Sequence, residues 1–209
     1  MTFRFLLLAF ILFTSSCIKS QNRNDTEKLV GGPCEGCKAI YEYGDKFLNP
    51  IDTISGFTSS NQKIKITGTV YYIDGKTPAK DIILYVYHTD EKGIYPKRNS
   101  SKGWEKRHGF LRGWIKTDSS GVYTLYTFRP ASYPNTTIPQ HIHIIVKEPD
   151  KKEYHIDDFY FDDDLNLTNT IRNRSKPRGG NGIIKLKGKN SLLQARRDII
   201  LGLNIPNYD

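Results

Sequence analysis

The chain has 209 residues, 37% hydrophobic and 25% charged, with a formal net charge of +9. This composition excludes a disordered or collagen-like chain and suits one compact domain with short tails, since domains run to ~100–200 residues. One Met against 13 Tyr argues for a β protein over a helical bundle. The longest apolar run, Phe5–Phe13, falls short of the ~20 residues of a spanning helix, so a multi-pass membrane protein is excluded.

Arg4 precedes that run, and Thr14-Ser15-Ser16 leads from it into Cys17. A positive end, a short apolar stretch and small residues form a secretory signal over residues 1–16. A cysteine at the cleavage point resembles a bacterial lipobox, with Thr14 where an aliphatic residue is usual. Lipidation of Cys17 would make the chain a cell-envelope lipoprotein of the outer membrane, with residues 17–62 as tether and N-terminal cap. Ordinary signal cleavage nearby, with Cys17 incidental, is the alternative. Cys34 and Cys37, in Pro33-Cys34-Glu35-Gly36-Cys37, read as a disulfide staple. Export favours oxidation, and no second cysteine pair exists to complete a zinc site.

From Lys63 to Tyr72 the hydrophobic period is two, as in a half-buried strand. Asp74-Gly75 supplies a turn and Ile82–Tyr87 an apolar second strand. Gly113–Lys116, Val122–Phe128 and His141–Lys147 follow, with a turn at Asp118-Ser119-Ser120-Gly121. The expectation is an all-β, two-sheet antiparallel β-sandwich over residues 63–165, within a domain of residues 63–209. Short helices are expected around Ala39–Tyr43 and near Ser191–Leu193. The tail should wrap the sandwich through Ile183, Ile184, Leu186, Ile199, Ile200 and Leu201. Glu148–Asp164 is acidic, whereas Arg172–Arg197 is basic and carries no aromatic residue. With no stacking platform, the basic run reads as a solvated loop pairing with the acidic stretch, and nucleic acid is not an expected partner.

His141-Ile142-His143 is the sharpest local feature. Residues i and i+2 of a strand share a face, so both imidazoles can reach one metal. On a β surface such a pair is more often incidental. Tyr133-Pro134 upstream and Gly93-Ile94-Tyr95-Pro96 after the second strand add phenols, and phenolate with imidazole suits Fe(III).

These pieces, taken together, resemble the intradiol ring-cleavage dioxygenases, the catechol and protocatechuate dioxygenase family. The resemblance runs in order over about residues 64–165: Ile66–Val70, Asp74–Ala79, Leu84–Asp90, Gly93–Tyr95, Leu111–Asp118, Gly121–Tyr123, Thr127–Pro134, His141–His143 and Phe159–Phe161. It implies a non-haem Fe(III) held by Tyr95 and His143 equatorially and by Tyr133 and His141 axially. It further implies a catecholic substrate and O2. The substrate would be ligated through both oxygens as Tyr133 is released to accept a proton, and cleaved between its two hydroxylated carbons to a muconate-type diacid. Two positions depart from the family pattern. Ile138 stands where an Arg is usual, three residues before His141, and Asp158 stands where a Gln is usual. That Arg stabilises negative charge near the substrate; Arg112 and Arg129 are the candidate replacements. Asp158 would add an unfavourable carboxylate beside a dianion. The alternative reading is a catalytically weak or inactive surface-anchored β-sandwich binding module of the same fold. Zinc hydrolysis through the His pair lacks a third ligand and a general base.

Overall fold

The computed structural model describes residues 29–188 and 191–208. Eleven short strands dominate: β1 (Ile51–Thr53), β2 (Lys63–Tyr71), β3 (Ile83–Tyr87), β4 (Arg112–Lys116), β5 (Val122–Phe128), β6 (His141–Lys147), β7 (Tyr154–His155), β8 (Phe159–Phe161), β9 (Ile183–Ile184), β10 (Leu192–Arg196) and β11 (Ile199–Ile200). Between them lie a 3-10 turn at Cys37–Tyr41 and two one-turn helices, α1 (Glu105–His108) and α2 (Asn169–Arg172). No helix among the described residues is long and apolar enough to cross a membrane. The signal and lipidation expectations at residues 1–16 and Cys17 lie outside the described residues.

The strands form two sheets, β1-β5-β2-β10 with β11 also on β2, and β4-β3-β6-β8-β9 with β7 on β6. In β2 the alternation has its expected cause: Ile64 and Ile66 are buried while Lys63 and Lys65 are half-exposed. Those isoleucines and Leu125 share a core with Leu84 and Val86 of β3, Ile142, Ile144 and Val146 of β6, and Phe159 and Phe161 of β8. A second cluster covers the other face of the second sheet, where Tyr85, Trp114 and Ile145 pack under Cys37, Ala39 and Ile40. Burial on both faces explains why Ile82–Tyr87 reads as an unbroken apolar run.

Within residues 63–165 the strands pair antiparallel throughout, as expected. Strands from outside that span add parallel pairs: β1 on β5, β10 and β11 on β2, and β9 on β8. These strands come from the chain ends and return to the sheets after long excursions, which permits parallel pairing. The helix expected near Ser191–Leu193 is instead the start of β10, because Leu192 and Leu193 pair with Lys63 and Ile64. Residues before Lys63 pack onto the domain: Val30 and Ile54 are buried in the same core and the Gly31 amide donates to the Pro206 carbonyl at 2.7 Å. The tail does wrap the sandwich: Ile184, Ile199 and Leu201 are buried, with Leu186 packed against them.

Candidate functional site

His141 and His143 lie on β6, on the face opposite Ile142 and Ile144. The register sets their neighbours, with Tyr160 opposite His141 and Tyr87 opposite His143. Tyr87 stacks on the His143 ring with centroids 4.5 Å apart. Tyr95 and Tyr133 come from two loops that the chain holds together at several points. The Ala131 amide donates to the Asp90 carbonyl at 3.0 Å, and Thr89 Oγ1 donates to the Ala131 carbonyl at 2.7 Å. Gly93, at φ +78°, makes the approach possible: a Cβ there would sit 2.0 Å from the Ser132 carbonyl oxygen.

Four donor atoms converge as a result. Tyr95 Oη lies 2.5 Å from Tyr133 Oη and 2.9 Å from His143 Nε2. Tyr133 Oη is 3.3 Å from His141 Nε2 and 3.2 Å from His143 Nε2, and the two Nε2 atoms are 3.1 Å apart. Donors bound at ~2.0–2.1 Å to one ion are separated by roughly 3 Å, so this set has a metal's footprint. The far nitrogen of each imidazole is occupied. His141 Nδ1 is 2.6 Å from the Pro139 carbonyl, which can only accept, so its proton sits on Nδ1 and Nε2 offers a lone pair. His143 Nδ1 faces Asp158 Oδ1 at 3.2 Å, which fixes the same tautomer. Both rings therefore present acceptors to the same point.

Electrostatics agree with that reading. Burial, aided for Tyr95 by its bond to Tyr133, raises both phenols above the ordinary tyrosine range. They give up protons only to a cation placed among them. Burial, then the neighbouring His143, lowers His141 and keeps it neutral, the form that ligates. Burial pushes Asp158 up, but His143, His141 and Arg197 outweigh it and hold the carboxyl below its usual range.

The structure brings Tyr95, Tyr133, His141, His143 and Asp158 together and leaves Arg112 out. Arg112 shares a face with Tyr87 and His143, yet its guanidinium binds Glu42 at 2.7 Å and Glu105 at 3.3 Å and lies over Trp114. Two carboxylates neutralise it, so it supplies no free charge to the cluster. Arg129 is likewise committed, to Gln140 at 2.6 Å and Asp163 at 2.8 Å. Asp158 is paired with His143 Nδ1 and also lines the cavity beside that ring. Sequence reasoning missed Tyr87 and the Pro139 carbonyl; the strand register, once assigned, is the signal that places Tyr87. Cys34 and Cys37 are bonded to each other across a Cα–Cα distance of 5.6 Å. Their loop walls a cavity of about 400 Å³, which also meets Tyr87, His143, Asp158 and Tyr160 and extends to His155, Arg174 and Arg178.

A family model described as "Dioxygenase" matches residues 49–191, more than half of the chain. Among solved structures, the chain is similar to the dioxygenase domain of a dioxygenase–carbohydrate-binding protein fusion from Streptomyces sp. SirexAA-E. The two are 18% identical with a TM-score of 0.55, over 84% of this chain and 97% of that one. It is also similar to a hydroxyquinol 1,2-dioxygenase from Pseudomonas putida (17% identity, TM-score 0.53, 87% of this chain and 68% of that one). A catechol 1,2-dioxygenase from Pseudomonas arvilla gives 17% identity and a TM-score of 0.57, over 83% of this chain and only 60% of that one. At these identities the likenesses establish the fold.

Proposed function

Because the chain belongs to the intradiol ring-cleavage dioxygenase family, whose members use non-haem iron, we propose that Tyr95, Tyr133, His141 and His143 hold Fe(III) and that the protein cleaves a catecholic ring between its hydroxylated carbons with O2. One observation carries this reading: four donor atoms of the right chemistry converge, with both histidine Nδ1 atoms tied off by acceptors. An iron ion held by these four side chains would supply Lewis-acid activation of the catechol.

The rest is the protein's part. The family resemblance assigns Tyr133 as the ligand that leaves the metal and accepts a substrate proton; its hydroxyl lies within hydrogen-bond reach of all three other donors. Its proton affinity, raised by burial, suits that role. His141 and His143 are fixed on β6 and keep their places. Tyr87 stacks on His143 and limits its rotation. Export through residues 1–16 and lipid anchoring at Cys17 complete the reading and rest on the sequence alone.

The test is a visible spectrum after iron loading. Phenolate-to-iron charge transfer should colour the protein red to purple. Tyr95→Phe and Tyr133→Phe should each shift or erase the band, and Tyr72→Phe should leave it unchanged. Added catechol should move the band and yield the intradiol diacid with both O2 atoms incorporated. A colourless loaded protein, or an extradiol semialdehyde, would overturn the reading.

A further inference from the structure

The basic stretch Arg172–Arg197 divides in the folded chain. Its first part meets the acidic stretch: Arg172 pairs with Asp162 and Arg174 with Asp157, each at 2.6 Å. Lys185 and Lys187 do not. Both are exposed, and among the described residues neither has a carboxylate within ion-pair distance. With Arg196, Gln194 and Thr67 they line a groove of about 590 Å³ between β9 and β10, and no acidic side chain lines it.

Strand register extends that groove into a face. Lys187 bridges to Gln194, which pairs with Lys65 of β2, and Lys65 pairs with Tyr126 of β5. Paired residues share a face, so one row of side chains crosses from the edge to the middle of the sheet. Lys63 and Lys65 point the same way, opposite to Ile64 and Ile66 of the core. Their ammonium groups rest over the Phe57 and Tyr126 rings at 5.9 and 5.7 Å. Arg196 does carry an acid, Asp198 at 2.7 Å, but the side chains are 58% and 41% exposed and water screens the pair. No Asp or Glu occupies an outward strand position of β1, β5, β2 or β10.

The other side of this face is apolar. Ile51 pairs with Thr124, Val122 lies two residues from Thr124 on β5, and the two aliphatic side chains are 57% and 42% exposed. Cations beside bare aliphatic groups match a bilayer surface, where phosphates meet the charges and the apolar groups enter the headgroup layer. A nucleic acid offers Ile51 and Val122 no apolar layer, and Lys65 already covers the Tyr126 ring on which a base would stack.

We propose that the outer face of β1-β5-β2-β10, with the groove of Lys185 and Lys187 at its edge, docks on a bilayer containing anionic phospholipid. His141 and His143 project from the other sheet, opposite to Ile142 and Ile144 of the shared core, so they point away from Lys63 and Lys65. Docking therefore leaves the four donor atoms uncovered. Leu29 is 12 residues on from Cys17, a reach of at most ~40 Å, so a lipid at Cys17 and this face could meet one bilayer. The face carries the proposal without that lipid.

Co-sedimentation of the full-length Cys17→Ala chain with vesicles of phosphatidylcholine, alone or mixed with phosphatidylglycerol, tests it. The ratio of the two affinities is the readout, because the sequence outside the face is common to every variant. The chain should prefer the mixed vesicles, and high salt should erase the preference. A cation at an anionic bilayer contributes about fivefold, so Lys185→Gln with Lys187→Gln should lower the preference about 25-fold. Lys102→Gln with Lys106→Gln removes the same charge beside α1, whose His108 stacks on Tyr87 of the other sheet. That pair should change the preference less than about twofold. Ile51→Ser with Val122→Ser should weaken binding to the mixed vesicles. Equal affinity for the two kinds of vesicle, equal losses in the two lysine pairs, or no loss in the Ile51 and Val122 pair overturns the proposal. So does tighter binding of double-stranded DNA than of mixed vesicles. Vesicle binding needs no iron, so its failure leaves the dioxygenase reading untouched.

Discussion

Removing the Asp158 carboxylate asks whether His143 is held as a ligand or is merely a surface histidine. Asp158 Oδ1 lies 3.2 Å from His143 Nδ1, on the side opposite the phenols, and the two side chains are 22% and 24% exposed. A hydrogen bond to a charged group contributes ~1.5–3 kcal/mol, and this degree of exposure favours the lower end. At ~1.4 kcal/mol per factor of ten, Asp158→Asn, which keeps an acceptor but loses the charge, should weaken iron binding about tenfold. Asp158→Ala loses the acceptor too, so the ring can turn or change tautomer, and the loss should approach ~100-fold. Chelator competition against the loaded protein, followed by the visible band, measures both, with thermal unfolding of the metal-free proteins as a control for folding. If both variants bind iron within twofold of wild type, Asp158 does not orient His143 and the account of the tautomer falls.

Gly93→Ala should separate the two tyrosine loops, because its Cβ would sit 2.0 Å from the Ser132 carbonyl in a left-handed conformation. The expected cost is ~1–3 kcal/mol in denaturant unfolding, with loss of the iron colour. Gly68→Ala places a Cβ 1.8 Å from the Arg197 carbonyl. It should lower stability by ~3 kcal/mol or more in the same unfolding assay. His88 is fully buried between the Thr89 carbonyl and Thr127 Oγ1, and burial pushes its pKa down to about 4 from 6.5. The unfolded chain therefore binds the proton first. The His88 contribution is complete above about pH 6.5 and is lost as pH falls toward 4, by ~3 kcal/mol at ~1.4 kcal/mol per unit. Urea unfolding across that window should show the slope in wild type and a flatter one in His88→Gln. Cys17→Ala should move the expressed protein from the membrane fraction to the soluble exported fraction; unchanged partitioning would sink the lipid anchor.

Local pattern carried the β architecture and the outline of the site. Alternation in Lys63–Tyr71 tells which side chains meet the core, and turn residues at Asp74-Gly75 and Asp118–Gly121 end the strands. The same two-residue period puts His141 and His143 on one face. The order of the short motifs identified the family. None of this needs a distant contact. What tertiary structure decided depends on residues far apart in sequence. Leu192-Leu193 is too short to choose between helix and strand by itself, and the unpaired edge of β2 settles it. Arg112 is neutralised by Glu42, which no local pattern links to it. Asp158 becomes the support of His143 because β6 and β8 are neighbours and their side chains face each other across the pair. Side-chain period is a property of a single strand, so a sequence displays it. Which charge meets which acceptor is a property of two strands brought together, and only the folded chain determines that.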